Sequence, residues 1–302
     1  MNTFRIGVIG DSLRLPPYES IATAAQLGAD GISFYAASPA FLSAEPDAIR
    51  LRCADAGLEI PSLIGELGGH GWQNENENRV KIPRLKEMVL QASRLATKII
   101  TSHIGVIPKS PACPRYAVMQ AACRELGHFA ADHGMCFGIE TGPEPAERLL
   151  AFLAELDTPG LGVNLDPANL VMVLNADPTA AVRTLKGHIV HTHAKDGVHY
   201  RACNPERVYN AFAEGGFDQL VAETGQQHGL DHRGMRLVAG VDHQGAVVGL
   251  QAAAELRVAA GPFAGRQHRG QAGRRGRVVD RALPFRGQAG QLAHPVAGRF
   301  LD

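Results

Sequence analysis

Along the first two thirds of the chain, short apolar runs alternate with stretches of helical periodicity. The first run, Phe4-Arg-Ile-Gly-Val-Ile-Gly10, is apolar on both sides, as expected of a strand in a parallel sheet covered on both faces. Helical spacing follows from Tyr18 to Leu27 and stops at Gly28. Gly31 to Tyr35 predicts a second strand, and Pro46 to Ala56 a helix with Asp47 in its first turn and Gly57 past its end. Glu59 to Ile64 predicts a third strand, then a loop from Gly65 to Trp72 and a helix from about Ile82 to Thr97. Lys98 to His103 is the fourth strand, and a helix from Arg115 to His133 leads into the fifth, Cys136 to Glu140. Leu161 to Asp166 and Ile189 to His193 are the sixth and seventh, and helix signals resume from Pro205 to Glu214.

Seven repeats of strand, loop and helix with short connections predict a parallel sheet, and their count favours a closed (β/α)8 TIM barrel over an open doubly wound sheet. The long polar loops, 65–78, 103–114 and 196–204, follow strand C-termini, the face on which such barrels build active sites.

Beyond about Gln226 the pattern fails. Residues 227–302 hold 13 of the 34 glycines and 11 Arg but no Lys, against 5 acids; the rest of the chain holds 19 Lys+Arg against 25 Asp+Glu. The formal net charge of zero therefore conceals an acidic body and a basic tail. We read residues 1–225 as the barrel's catalytic domain, units 1 to 7, and 226–302 as an atypical Arg/Gly-rich segment in which the eighth β/α unit is missing or disrupted. The run from Gly265 to Arg277 has the composition of a nucleic-acid-binding arm. The absence of Lys after Lys195 and the lost periodicity favour a shifted reading frame in a GC-rich gene instead, with poor order expected there.

The 302 residues, 45% of them apolar, suffice for one barrel of roughly 250 residues. No window approaches the ~18 apolar residues of a membrane span, and the first residues lack the basic flank and long apolar core of a signal peptide, so a soluble, cytoplasmic protein without a membrane partner is expected. Five scattered cysteines without a Cys-x-x-Cys suit reduced thiols better than disulfides or a zinc cluster. Gly7-Val-Ile-Gly10 lacks the spacing of a dinucleotide fingerprint.

Three strands end in potential metal ligands, Glu140, Asp166 and His193, spaced 26 and 27 residues apart. That is about one strand plus one covering helix, which puts the three at one edge of the sheet. By strand alternation Gly138 lies beneath Glu140, and Asn164 and His191 lie beneath Asp166 and His193 as groups able to orient the ligands. A carboxylate ending one strand is ordinarily a helix cap or an ion pair. Three ligands in register point to a divalent cation, because gathering that much like charge without one is costly. Oxygen ligands with one imidazole suit Mn, Mg, Co or Zn.

Glu140 after the fifth strand, Asp166-Pro-Ala-Asn169 after the sixth and His191-Thr-His-Ala-Lys-Asp196 after the seventh resemble the sugar phosphate isomerase/epimerase group of xylose isomerase-like TIM barrels, which includes tagatose 3-epimerase and inosose dehydratase. The resemblance covers about residues 4–225. It implies a metal held by Glu140, Asp166, His193 and a glutamate on the eighth strand, the two glutamates moving a proton on and off the carbon beside a carbonyl through an enediolate. The second glutamate is not where the pattern places it; Glu255 lies in a helix-like context, and Asp242 is a weak substitute.

The function expected is that of a divalent-metal-dependent isomerase or epimerase of a monosaccharide, sugar phosphate or polyol, with Glu140 as general base. The alternatives are a dehydratase or lyase on the same scaffold, or an impaired barrel lacking its fourth ligand. Asn169, Lys195, His103, Glu66 and His70 are candidate substrate contacts, and Trp72 is a candidate for stacking on a sugar ring, although a loop tryptophan more often packs. Glu144, Glu147 and Arg148 read as a solvated helix face. A nuclease, and any nucleic-acid partner, is disfavoured by the acidic body. A homo-oligomer is expected by family resemblance only.

Overall fold

The computed structural model describes residues 5–199 and 201–214. Within them, strands β1 (Gly7–Ile9), β2 (Gly31–Tyr35), β3 (Leu63–Ile64), β4 (Ile99–Ser102), β5 (Cys136–Glu140), β6 (Leu161–Leu165) and β7 (Ile189–Thr192) form one parallel sheet in sequence order. Helices α1 (Pro17–Gln26), α2 (Pro39–Leu42), α3 (Pro46–Asp55), α4 (Glu75–Arg94), α5 (Pro114–Asp132), α6 (Ala146–Leu156), α7 (Pro167–Leu174), α8 (Pro178–Leu185) and α9 (Pro205–Glu214) connect or follow them. Sequential all-parallel order with covering helices is the wall of a TIM barrel. The eighth unit expected from the sequence, and the tail with it, fall outside the described residues.

Most elements lie where periodicity put them. α4 instead begins at Glu75, well ahead of Ile82, because the Asn74 side chain caps it by accepting from the backbone N–H groups of Asn76 and Glu77. Pro83 inside that helix masks the early turns from a reading of the sequence. β1 is less covered than its composition suggested, with Gly7 exposed and Val8 and Ile9 partly so. Among the described residues it pairs on one side only, with β2.

The core lies between sheet and helices. Phe137 and Ile139 point to one face of β5 and are fully buried, as are Ile100 of β4 and Val163 of β6. Trp72, open from the sequence to packing or to stacking on a sugar, belongs to this core: it is 1% exposed and meets the Phe137 ring edge-on at 6.4 Å between centroids. Gly71, at φ +62°, lets this loop press against the Ile104–Gly105 backbone, where any Cβ would collide. No disulfide joins the five cysteines. No helix among the described residues is long and apolar enough to cross a membrane.

Candidate metal and active site

The opposite face of the strands carries polar side chains at their C-terminal ends. Register places Glu140 level with Asn164 and His191, so Asp166 and His193 stand two residues further along their strands than Glu140 does. The three are not at one height, as equal spacing implied; the stagger is the one a tilted barrel wall imposes. Glu140 spans the step with its longer side chain. One ligand atom from each of Glu140, Asp166 and His193 lies within 4.8 Å of the others.

Each member is held in place. Asp166 does two jobs with its two oxygens: Oδ1 accepts from the Asn169 N–H at 3.0 Å and caps α7, while Oδ2 lies 3.3 Å from His193 Nδ1 and 2.5 Å from Lys195 Nζ. The cap reading of this residue applies through Oδ1, while Oδ2 is left facing His193 and Lys195. Thr141 ties the ends of β5 and β6 together, its Oγ1 donating to the Asp166 carbonyl and accepting the Asp166 N–H at 2.8 Å. Asn164 donates through Nδ2 to Glu140 Oε2 at 3.3 Å and pairs through Oδ1 with His191 Nδ1 at 2.9 Å, the orienting role expected for both. Asn169 Nδ2 donates to Glu140 Oε1 at 3.1 Å, and Lys195 Nζ lies 3.4 Å from Asn169 Oδ1.

The charges are interlocked. Burial disfavours ionised Glu140, but His103, His193 and Lys195 outweigh it and hold the carboxyl well below its usual range. Burial likewise opposes charge on His193, yet Glu140 and Asp166 raise its pKa to about 10. His191 is pushed down to about 3 by burial and by His193, which keeps it a neutral imidazole.

A second group lies beside the first. His103 follows β4, its Nδ1 2.9 Å from Glu66 Oε1 and its Nε2 3.5 Å from Glu140 Oε1. Burial works against a charged His103, but Glu140 and Glu66 raise its pKa to about 9. His70 enters neither group; its Nδ1 sits 2.6 Å from Glu77, which also binds Lys81.

Two residues missed from the sequence line this region. Glu144, expected on a solvated face, is 2% exposed, and burial pushes its carboxyl up to about 8. It lies in the β5–α6 loop, one oxygen 3.4 Å from the Ile107 N–H, whereas Glu147 is exposed as expected. Tyr209 comes from α9; its hydroxyl lies against Gly142 and its ring 5.6 Å from that of His103. Burial and then Glu140, Glu144 and Asp166 keep its phenol protonated. A strong amphipathic pattern over 205–214 marked the helix, but nothing in it marked Tyr209 as facing the site.

A parallel β/α wall with acids and imidazoles converging at its strand C-termini defines a TIM-barrel protein with a site suited to a divalent cation. The family model described as xylose isomerase-like TIM barrel matches residues 21–244, and the chain belongs to that family. Among solved structures, the xylose isomerase domain protein from Planctomyces limnophilus is similar at 21% identity and TM-score 0.60, over 86% of this chain and 97% of that one. The probable 3-DHS dehydratase AsbF from Bacillus anthracis is similar at 18% identity and TM-score 0.56, over 83% and 88%. A D-tagatose 3-epimerase-like protein is similar at 19% identity and TM-score 0.54, over 64% and 76%. An AP endonuclease of family 2 from Brucella melitensis also shares the fold. No curated protein matches the sequence.

Proposed function

We propose that the chain is a divalent-metal-dependent isomerase or epimerase acting on a monosaccharide, sugar phosphate or polyol. One observation carries the reading: Glu140, Asp166 and His193, from three successive strands, bring a ligand atom each within 4.8 Å of the others. Two carboxylates and one imidazole are a donor set that fits a divalent ion, and Lys195 and a protonated His193 supply the counter-charge there without one. When bound, the ion supplies polarisation of a substrate carbonyl.

The chain's own residues handle the proton. Glu140, kept ionised, takes it from the carbon beside the carbonyl: the C–H bond breaks, an O–H bond forms on the carboxylate, and the electron pair moves toward the carbonyl oxygen. Asn164 and Asn169 fix the carboxylate by donating one N–H to each of its oxygens. Lys195 and Asn169, which meet at 3.4 Å, position substrate hydroxyls or phosphate, and His103 and Glu66 form the neighbouring wall of the pocket. Returning the proton on the opposite face needs a second group, and the glutamate implied for the eighth strand has no counterpart among the described residues.

A dehydratase is the second reading. Elimination of water requires one base and one acid, and Glu140 with the Lys195 ammonium is such a pair. The fold shared with the AsbF protein adds to it.

Elemental analysis of the purified protein tests the site: wild type should retain a divalent ion that Glu140→Gln loses, and a wild type that takes up none sinks the reading. Deuterium incorporation from labelled water across a panel of sugars and their phosphates, followed by NMR, separates epimerisation, which labels the recovered sugar, from dehydration, which yields an unsaturated product.

A further inference from the structure

Tyr209 reaches the pocket from α9, a helix marked in the sequence only by its amphipathic pattern. Its hydroxyl lies over Gly142, two residues past Glu140, and crowds the same point as the Asn169 Cβ, so a side chain at Gly142 would collide with both. Its ring stands 5.6 Å from that of His103. The phenol is thus set beside Glu140, Asn169 and His103, yet among the described residues nothing accepts a hydrogen bond from it. Glu140 does not serve, its two oxygens accepting from Asn169 and Asn164.

A clasp fixes the helix that carries this side chain. Arg115, at the start of α5, forks between two elements: one N–H donates to Gln73 Oε1 in the loop after β3, and Nη2 donates to Glu206 Oε1 on α9 at 2.7 Å. Gln73 Nε2 in turn donates to the His70 carbonyl at 2.9 Å. The rest of the hold on α9 is a small apolar cluster apart from the main core, Val208 against Val173 with Leu174 and Cys203. Glu206 and Tyr209 are three residues apart and therefore neighbours on the helix surface, so the point where Arg115 grips the helix sets where the phenol lies.

We propose that Tyr209 is a substrate-contacting residue, its O–H donating to a hydroxyl or carbonyl oxygen of the bound sugar, and that Arg115, acting through Glu206, positions it. The proposal rests on the sugar reading above and adds to it a contact that no strand end supplies.

Packing alone does not call for a phenol. Phenylalanine would face His103 equally well, whereas an O–H closed off without an acceptor costs free energy. Water accepts from the hydroxyl in an open pocket, and a ligand that displaces the water has to supply an oxygen in its place. A donor placed in this way favours substrates with an oxygen at that point and rejects analogues lacking it. Burial, and then the neighbouring acids, keep the group an O–H and so a donor. Loss of the clasp would leave α9 on its apolar cluster alone and the phenol less well placed, which weakens substrate binding before it touches the chemistry.

Steady-state turnover by the manganese-loaded full-length chain tests this, on whichever sugar or sugar phosphate of the panel wild type converts fastest. Tyr209→Phe is expected to lower kcat/KM about tenfold to a hundredfold, with metal content and melting temperature unchanged. Glu206→Gln and Arg115→Gln should each raise KM roughly three- to tenfold with kcat near that of wild type. In the Tyr209→Phe background neither should add anything, because the side chain they position no longer donates; a purely structural clasp would still add its effect there. Tyr209→Phe with wild-type kcat and KM overturns the proposal and leaves the isomerase or dehydratase reading standing. Clasp effects that persist undiminished in Tyr209→Phe overturn the positioning role of Arg115. A wild type that converts no member of the panel overturns both this proposal and the reading it rests on.

Discussion

At the scale of single residues, the two glutamates on either side of Thr141 show how position sets chemistry. Glu140 is ionised because imidazoles and an ammonium outweigh its burial; Glu144, four residues on, has burial as its largest influence and sits near 8. A raised carboxyl means the folded chain holds a proton that the unfolded chain releases above about 4.5, so this group's contribution to stability falls as pH rises from there to about 8. Glu144→Gln should flatten that dependence. Urea unfolding at pH 5.5 and 8.5 should show the variant gaining on wild type at the higher pH by on the order of 1–3 kcal/mol, and an equal difference at both values would mean Glu144 is ionised in the fold. Glu140 also has to reach from the level of Asn164 up to that of Asp166. Glu140→Asp, which keeps the charge and shortens the arm by one methylene, should weaken manganese binding roughly tenfold or more, about 1.4 kcal/mol, by titration calorimetry.

At the scale of elements, strand ends and helix starts do the positioning. β5 to β7 were legible to within a residue because each is a short apolar run closed by a polar side chain, and with them came Glu140, Asp166 and His193, later found together. Their relative heights were not legible, since equal spacing along the chain says nothing of the stagger between neighbouring strands. The inward packing of Trp72 and Glu144 was not legible for one reason: both lie in loops, where no periodicity distinguishes inward from outward. The loop after β3 packs because Gly71 allows backbone to approach Ile104. Gly71→Ala, strained at φ +62° and crowded against that backbone, should cost about 1–3 kcal/mol in chemical denaturation while leaving α-helical circular dichroism unchanged. A change below a few tenths of that would show that the loop can move aside.

At the scale of the whole molecule, the single tryptophan reports on the barrel wall. Because Trp72 is packed on Phe137, its emission should shift to longer wavelength in one step on heating, and saturating manganese should raise the midpoint. An ion at 100 times its dissociation constant adds about 2.7 kcal/mol, and Asp166→Asn should abolish most of the rise. What lies at the mouth also bears on how the proposed ion would be taken up. The Lys195 ammonium on Asp166, and His193 between two acids, are cations supplied by the chain itself. Self-neutralised in this way, the polypeptide should be able to fold before the proposed ion arrives, unlike a zinc finger, which collapses without its ion. Metal capture then becomes an exchange in which an ammonium swings aside and an imidazole sheds its proton, so uptake should be reversible, slower in acid, and responsive to whichever ion the surroundings supply.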